Sequence, residues 1–330
     1  MCPARYLLIA AIGLACLFSG CSLHRPTGTG KAPAANIELT GTSFFPQEEY
    51  QCGPAALAAL LVSSDVVTEP DLLSPDLYIP KRQGTLQLEI IGSIRRHDRI
   101  PYEIRQEMDA ITAELKAGRP VLVLQNLGLK ILPTYHYAVV IGVLSDGRVV
   151  LRSGITERLL MDMDDFLTTW QKAGSWGVIA LKSDELPADR DISRYLEAVA
   201  RVEATGNIEL AEQCYKMVLS SYPHSDLAIF GLANTMFAQQ HYTKAANLYS
   251  SLLKSNPAHY EAANNLAESL ASLHCYQQAI EILDTFLLPS IRQSALTAFL
   301  LKTREEIRAR LEAASGISAD CSEIDRFIDF

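Results

Sequence analysis

The hydrophobic pattern changes character part-way along this 330-residue chain. After Cys52-Gly53-Pro54, the Ala/Leu run Ala55–Leu61 predicts a buried helix. Thr85–Arg96 carries Leu86, Leu88, Ile90, Ile91 and Ile94 at helical spacing. Ala110–Ala117 predicts a third helix, ended by Gly118 with Pro120 beyond. Short strand-like runs follow at Pro120–Gln125, His136–Leu144, Arg148–Arg152, Arg158–Met163 and Gly177–Lys182, with Asp146-Gly147 as a hairpin turn. Helices followed by an antiparallel sheet make an α+β domain over residues 37–182. A polar linker, 183–191, then leads to a different pattern.

From 192 to 314 the sequence repeats. Ala211, Ala245 and Ala279 lie 34 residues apart, as do Tyr215, Tyr249 and Leu283, and Pro223 and Pro257. A small residue lets two helices cross closely, an aromatic fills the groove to the next unit, and Pro ends the second helix. Tyr195, Leu232 and Leu266 take further apolar places. The period and residue order resemble the tetratricopeptide repeat, an all-α solenoid whose concave face would dock a peptide or protein partner. The third unit has Ile291 where Pro would fall, near Pro289. Leu296, Leu300, Ile307 and Leu311 form one stripe of a capping helix, before a tail at 315–330.

A net charge of −9 argues against nucleic acid as a partner and against a polybasic membrane patch, so any membrane attachment is hydrophobic or covalent. Residues 1–20 supply one: Arg5, the apolar run Tyr6–Leu17, then Phe18-Ser19-Gly20 before Cys21. This stretch resembles the lipobox of bacterial lipoproteins, which implies lipidation at Cys21, with 21–36 a Pro/Gly-rich tether. Ser22 after the lipidated Cys implies an outer-membrane lipoprotein facing the periplasm. Cys52, Cys214, Cys275 and Cys321 remain as thiols; their spacing suggests no disulfide framework, and no CxxC pair suggests zinc. Gly28-Thr29-Gly30-Lys31 lacks the full phosphate-loop pattern, so no cofactor is expected.

Cys52 is the candidate nucleophile. At a helix N-terminus the dipole and free amides favour a thiolate; Pro54 suits the first turn, and Gly53 would let a substrate backbone come close. A base is needed, and the domain offers His97, among charges, and His136, heading the strand Tyr137–Val143. His136 is the better placed to point into a cleft.

Together QxxxxCGPAAL (from Gln47) and HYAVVIGV (from His136) resemble the bacteriocin-processing, double-glycine family of papain-like cysteine peptidases, over about Phe44 to Lys182. The resemblance implies Cys52 as nucleophile, His136 as general base, and Gln47 as oxyanion donor with the Cys52 amide, Gln51 being the alternative donor. The family's Asp on the following strand is missing from Val149-Val150-Leu151-Arg152-Ser153-Gly154. Ser153 could hold the imidazole; Arg152, having only donors, could not. Asp146 is taken by the turn, and Asp162 or Asp164 would require shifted pairing. The implied activity is peptide hydrolysis through an acyl-thioester. The alternative is a catalytically weak or inactive adaptor that scaffolds an envelope or secretion complex, and a cell-wall amidase ranks third.

Overall fold

The computed structural model describes residues 32–47, 51–79, 81, 84–287, 295–314 and 321. The expected signal, Cys21 and its lipidation, most of the tether, Pro289, Ile291 and all of the tail except Cys321 lie outside the described residues. Among the described residues no helix is long and apolar enough to cross a membrane.

The first region is α+β, and its sheet is antiparallel throughout. Its strands are β1 (Ile37–Glu38), β2 (Ile100–Glu103), β3 (Val121–Asn126), β4 (Tyr135–Val143), β5 (Arg148–Ser153), β6 (Thr156–Asp162) and β7 (Gly177–Leu181). They are ordered β2-β7-β3-β4-β5-β6, with β1 added beside β4. The helices are α1 (Cys52–Val62), α2 (Pro70–Leu77), α3 (Gln87–Arg96), α4 (Met108–Lys116) and α5 (Met163–Lys172). The expected helices and strands are present with ends shifted by a few residues. β1, β2, α2 and α5 were not expected. β2 reads Ile-Pro-Tyr-Glu, too short and too Pro-broken to show a period of two; its pairing with β7 holds it extended. α5 does carry helical spacing in Met163, Phe166, Leu167 and Trp170, but it begins where the preceding strand pattern was still running.

The sheet is covered on both sides. Leu122, Leu124, Tyr137, Val139 and Ile141 belong to one core with Leu57 and Leu61 of α1, Leu77 of α2 and Ile94 of α3. Val121, Val123, Ala138, Val140 and Leu151 belong to a second core with Ile111 of α4 and Phe166 and Trp170 of α5. That second core runs on into Tyr195, Leu196 and Val199 of the helical region. The polar segment 183–191 is fastened rather than free. Ala188 N–H donates to the buried Glu114 carboxylate at 2.8 Å, and the Tyr102 hydroxyl donates to Asp189 at 2.9 Å.

The helical region comprises α6 (Ile192–Glu203), α7 (Ile208–Ser221), α8 (Asp226–Ala238), α9 (Tyr242–Ser255), α10 (Tyr260–Ser272), α11 (Tyr276–Phe286) and α12 (Ala295–Ala313). Side chains of Asp191, Asn207, Ser225 and His259 accept from the first-turn amides of α6, α7, α8 and α10, satisfying donors that a helix start leaves free. The 34-residue alanines, Ala211, Ala245 and Ala279, are fully buried on α7, α9 and α11. Tyr215, the first repeated aromatic, lies across Gly231 of α8 and donates to Glu203 at 2.7 Å. Leu300 and Ile307 of α12 are buried as the stripe requires, whereas Leu311 is 37% exposed, so the buried stripe stops before the helix does. A disulfide joins Cys275 to Cys321 with Cα atoms 5.9 Å apart, across a sequence separation of 46. Spacing did not predict it, because a single bridge between distant residues leaves no local pattern.

Gly231 makes a test of the helix packing. A methyl group there would overlap the Tyr215 ring, which is buried and held through its hydroxyl. Gly231→Ala is expected to lower stability by about 1–3 kcal/mol, the usual cost of overpacking. Urea unfolding measures it, and an unchanged midpoint would mean that α7 and α8 do not approach this closely.

Candidate active site

Helix α1 begins at Cys52, and Gln51 precedes it with a carbonyl that accepts from Ala55 N–H at 3.1 Å. Gly53 through Leu61 are buried, so α1 is an inner helix and its apolar composition follows from having no solvent face. Cys52 is a half-buried free thiol at the first position of α1. Gly53 has a different purpose from the one expected: a Cβ there would collide with the side chain of Thr85, so this glycine admits Thr85 rather than a substrate backbone. The Thr85 carbonyl in turn accepts from the Tyr137 hydroxyl at 3.2 Å.

His136 is the second residue of β4, and Ser153 is the last of β5. Val139 faces Arg152 across that ladder, which carries Ser153 alongside the start of β4. His136 Nε2 and Ser153 Oγ are 2.8 Å apart, a direct hydrogen bond. Burial pushes the imidazole pKa below its ordinary value and favours the neutral ring that a base requires. A serine hydroxyl donates or accepts, so Ser153 holds the ring without dictating which nitrogen carries the proton, as a carboxylate would. The aspartates fall elsewhere. Asp146 binds Arg148 at 2.9 Å, Asp162 faces Arg148 at the other end of β5, and Asp164 lies in the first turn of α5. His97 ends α3 with Nδ1 2.8 Å from the Ser93 carbonyl oxygen.

Gln47 is brought to the same end of the sheet, its backbone N–H donating to Gly154 O at 3.1 Å. Its side-chain amide makes no hydrogen bond among the described residues. Arg152 has a structural part that its place in the sequence does not disclose. Its guanidinium is buried and donates to Thr42 O at 2.9 Å, Thr40 O at 3.1 Å and Glu157 O at 2.6 Å. Arg152 cannot hold the imidazole, but it pins the segment that leads to Gln47 against the strand that ends in Ser153. The visible signal was a lone Arg closing the apolar run Val149–Leu151.

Cys52 and His136 are not directly joined: among the described residues no hydrogen bond links them. Neighbouring strand residues point to opposite faces. Tyr137 shares the α1-side core against which Cys52 packs, while His136 is paired with Gln125, whose side chain donates to Thr169 of α5 at 2.7 Å. Thiol and imidazole therefore leave opposite faces of the sheet and can meet only around its end, one residue from the start of β4.

The helical region has a recognisable component. Residues 227–259 match the tetratricopeptide repeat. The match covers α8 and α9, the middle of three helix pairs, and such repeats present surfaces for protein–protein interaction. No curated protein matches the chain.

The lowered His136 pKa gives a pH test. A ring kept neutral by burial contributes stability that is full above its unfolded pKa, about 6.5, and is lost as pH falls through the folded value. Between pH of about 7.5 and about 5, the native protein is expected to lose more stability than His136→Gln. Urea midpoints at both pH values decide it; equal losses would mean a solvated ring.

Proposed function

We propose that the chain is a membrane-anchored cysteine peptidase with a papain-like arrangement, and that its repeats dock a peptide or protein partner. The observation that carries this reading is the His136–Ser153 hydrogen bond at the sheet end that also receives Gln47. It occupies Nε2 and leaves Nδ1 for the thiol. In the reaction, His136 takes the Cys52 thiol proton, the thiolate attacks the scissile carbonyl, and Gln47 and the Cys52 amide receive the oxyanion. The C–N bond breaks as His136 gives its proton to the leaving amine. Water, losing a proton to His136, then cleaves the acyl-thioester and returns the thiol. The scheme requires the Cys52 thiol and the His136 ring to come together around the end of β4 when substrate binds. The Cys275–Cys321 disulfide supports an exported location, since such bonds persist in oxidising compartments. Acylation at Cys21 and a tether over 21–36 would hold the enzyme on the outer membrane, facing the periplasm.

A second reading has a specific observation behind it. The missing carboxylate, together with a thiol and imidazole on opposite faces, favours an adaptor that keeps the fold for binding and assembles an envelope or secretion complex through its repeats.

Thiol labelling separates the two. In the soluble form beginning at Ser22, an electrophile is applied from about pH 4 to about pH 9, and each Cys is mapped separately. Cys52 is expected to react fast below neutral pH and to lose that speed in His136→Ala. Cys214 provides the contrast, its thiol pushed up to about 11 by burial. If Cys52 reacts as an ordinary thiol in both proteins, the peptidase reading falls. Ser153→Asp should extend fast labelling to higher pH, because a carboxylate against Nε2 stabilises the imidazolium; an unmoved profile would show that Ser153 does not act on the ring.

A further inference from the structure

The loop between β3 and β4 holds bulky apolar side chains out in solvent. Leu127, Leu129, Ile131 and Leu132 are between 50% and 92% exposed, and Tyr135 and Ile155 add 57% and 82%. Full burial of each Leu or Ile is worth about 1.5–3 kcal/mol, so leaving four together in water calls for a reason.

The loop is not slack. Asn126, 2% exposed, accepts through Oδ1 from Gly128 N–H at 3.0 Å and from Thr134 N–H at 2.9 Å. Leu127 N–H donates to Thr134 O at 2.8 Å, and Leu132 N–H to Leu129 O at 3.1 Å. A Cβ on Gly128 would strike the Leu132 carbonyl, so the glycine permits a tight fold-back. The loop is thus a hydrogen-bonded finger whose apolar side chains are presented in advance of any ligand.

Its position narrows the occupant. The finger ends at Tyr135, next to His136, and Ile155 lies two residues beyond Ser153, so both border the candidate site. The chain enters the sheet at the other end of β4, where Ile37 faces Val143. Lys130 is the one cation between Leu127 and Tyr135, too little for a headgroup-binding surface. We propose that the finger and Ile155 form a docking floor for an extended substrate polypeptide carrying bulky apolar side chains. This rests on the peptidase reading and names its substrate class, one chosen by large apolar residues beside the cleavage point rather than by a Gly-Gly pair.

The test uses the full mature chain carrying Cys52→Ala and two fluorescein-labelled peptides of equal length and charge. One has a central Leu-Ile-Phe block, and the other has Ser in those places. Fluorescence anisotropy is expected to show tighter binding of the apolar peptide, weakened about tenfold by Ile131→Ser with Leu132→Ser, two exposed positions whose change leaves the fold intact. If that pattern holds while the native enzyme cleaves neither peptide, the docking floor stands and the peptidase reading falls. If the native enzyme cleaves both peptides with the same KM, and the double variant leaves KM unchanged, the docking floor falls and the peptidase reading stands. Finger-dependent binding to phosphatidylethanolamine–phosphatidylglycerol vesicles, with no preference between the peptides, would also overturn the proposal, in favour of a membrane surface.

Discussion

A strand buried on both faces must divide its residues between two cores, and in this protein β4 is that strand. Tyr137, Val139 and Ile141 go to the α1 side, while Ala138 and Val140 go to the α4–α5 side. The division leaves no solvent face, which is why the run reads Ala-Val-Val-Ile without alternation. It also fixes where chemistry can occur. Within the strand every position is committed to packing, so the candidate base stands at its open end, and the thiol approaches that end from the opposite layer.

What the sequence disclosed follows the range of the interactions involved. α1, α3, α4 and five of the strands carry local hydrophobic patterns, and the repeat period needs only the helix pairs themselves. β2 was hidden because its strand state depends on residues near 180 in the sequence, and Pro101 breaks whatever pattern four residues could display. The Cys275–Cys321 bridge was hidden for the same reason. At the site, the partnership of His136 with Ser153 was legible because a two-strand ladder with a known turn sets the register. The side of the sheet on which each residue lay was not, since a continuous apolar run erases the alternation that would reveal it. Gly53 was misread for a related cause: glycine announces a close approach but does not name what approaches, and here it is Thr85.

Arg152 shows how a buried charged group can be satisfied mainly by carbonyl oxygens, with a single long ion pair to an exposed acid. Its donors meet the carbonyls of Thr40, Thr42 and Glu157, and its nearest carboxylate, Glu157, stands 3.8 Å away and largely exposed. Carbonyl dipoles satisfy a guanidinium's directional donors while leaving its charge partly uncompensated. Such a group, one residue before Ser153, ties the position of the amino-terminal segment to the end of β5, so the elements bearing Gln47 and Ser153 shift together or not at all.

The strand order has a consequence for how the chain is made. β2 is complete once residue 103 has been synthesised, yet the strand it pairs with, β7, closes only at residue 181. Until then Ile100 and Tyr102, both fully buried at the end, have no neighbour in the sheet to cover them. The helix pairs downstream need no such wait, because each leans on the one before it. During synthesis the first region must therefore be kept from premature collapse or aggregation across some eighty residues of growth, whereas the array behind it can zip up as it appears.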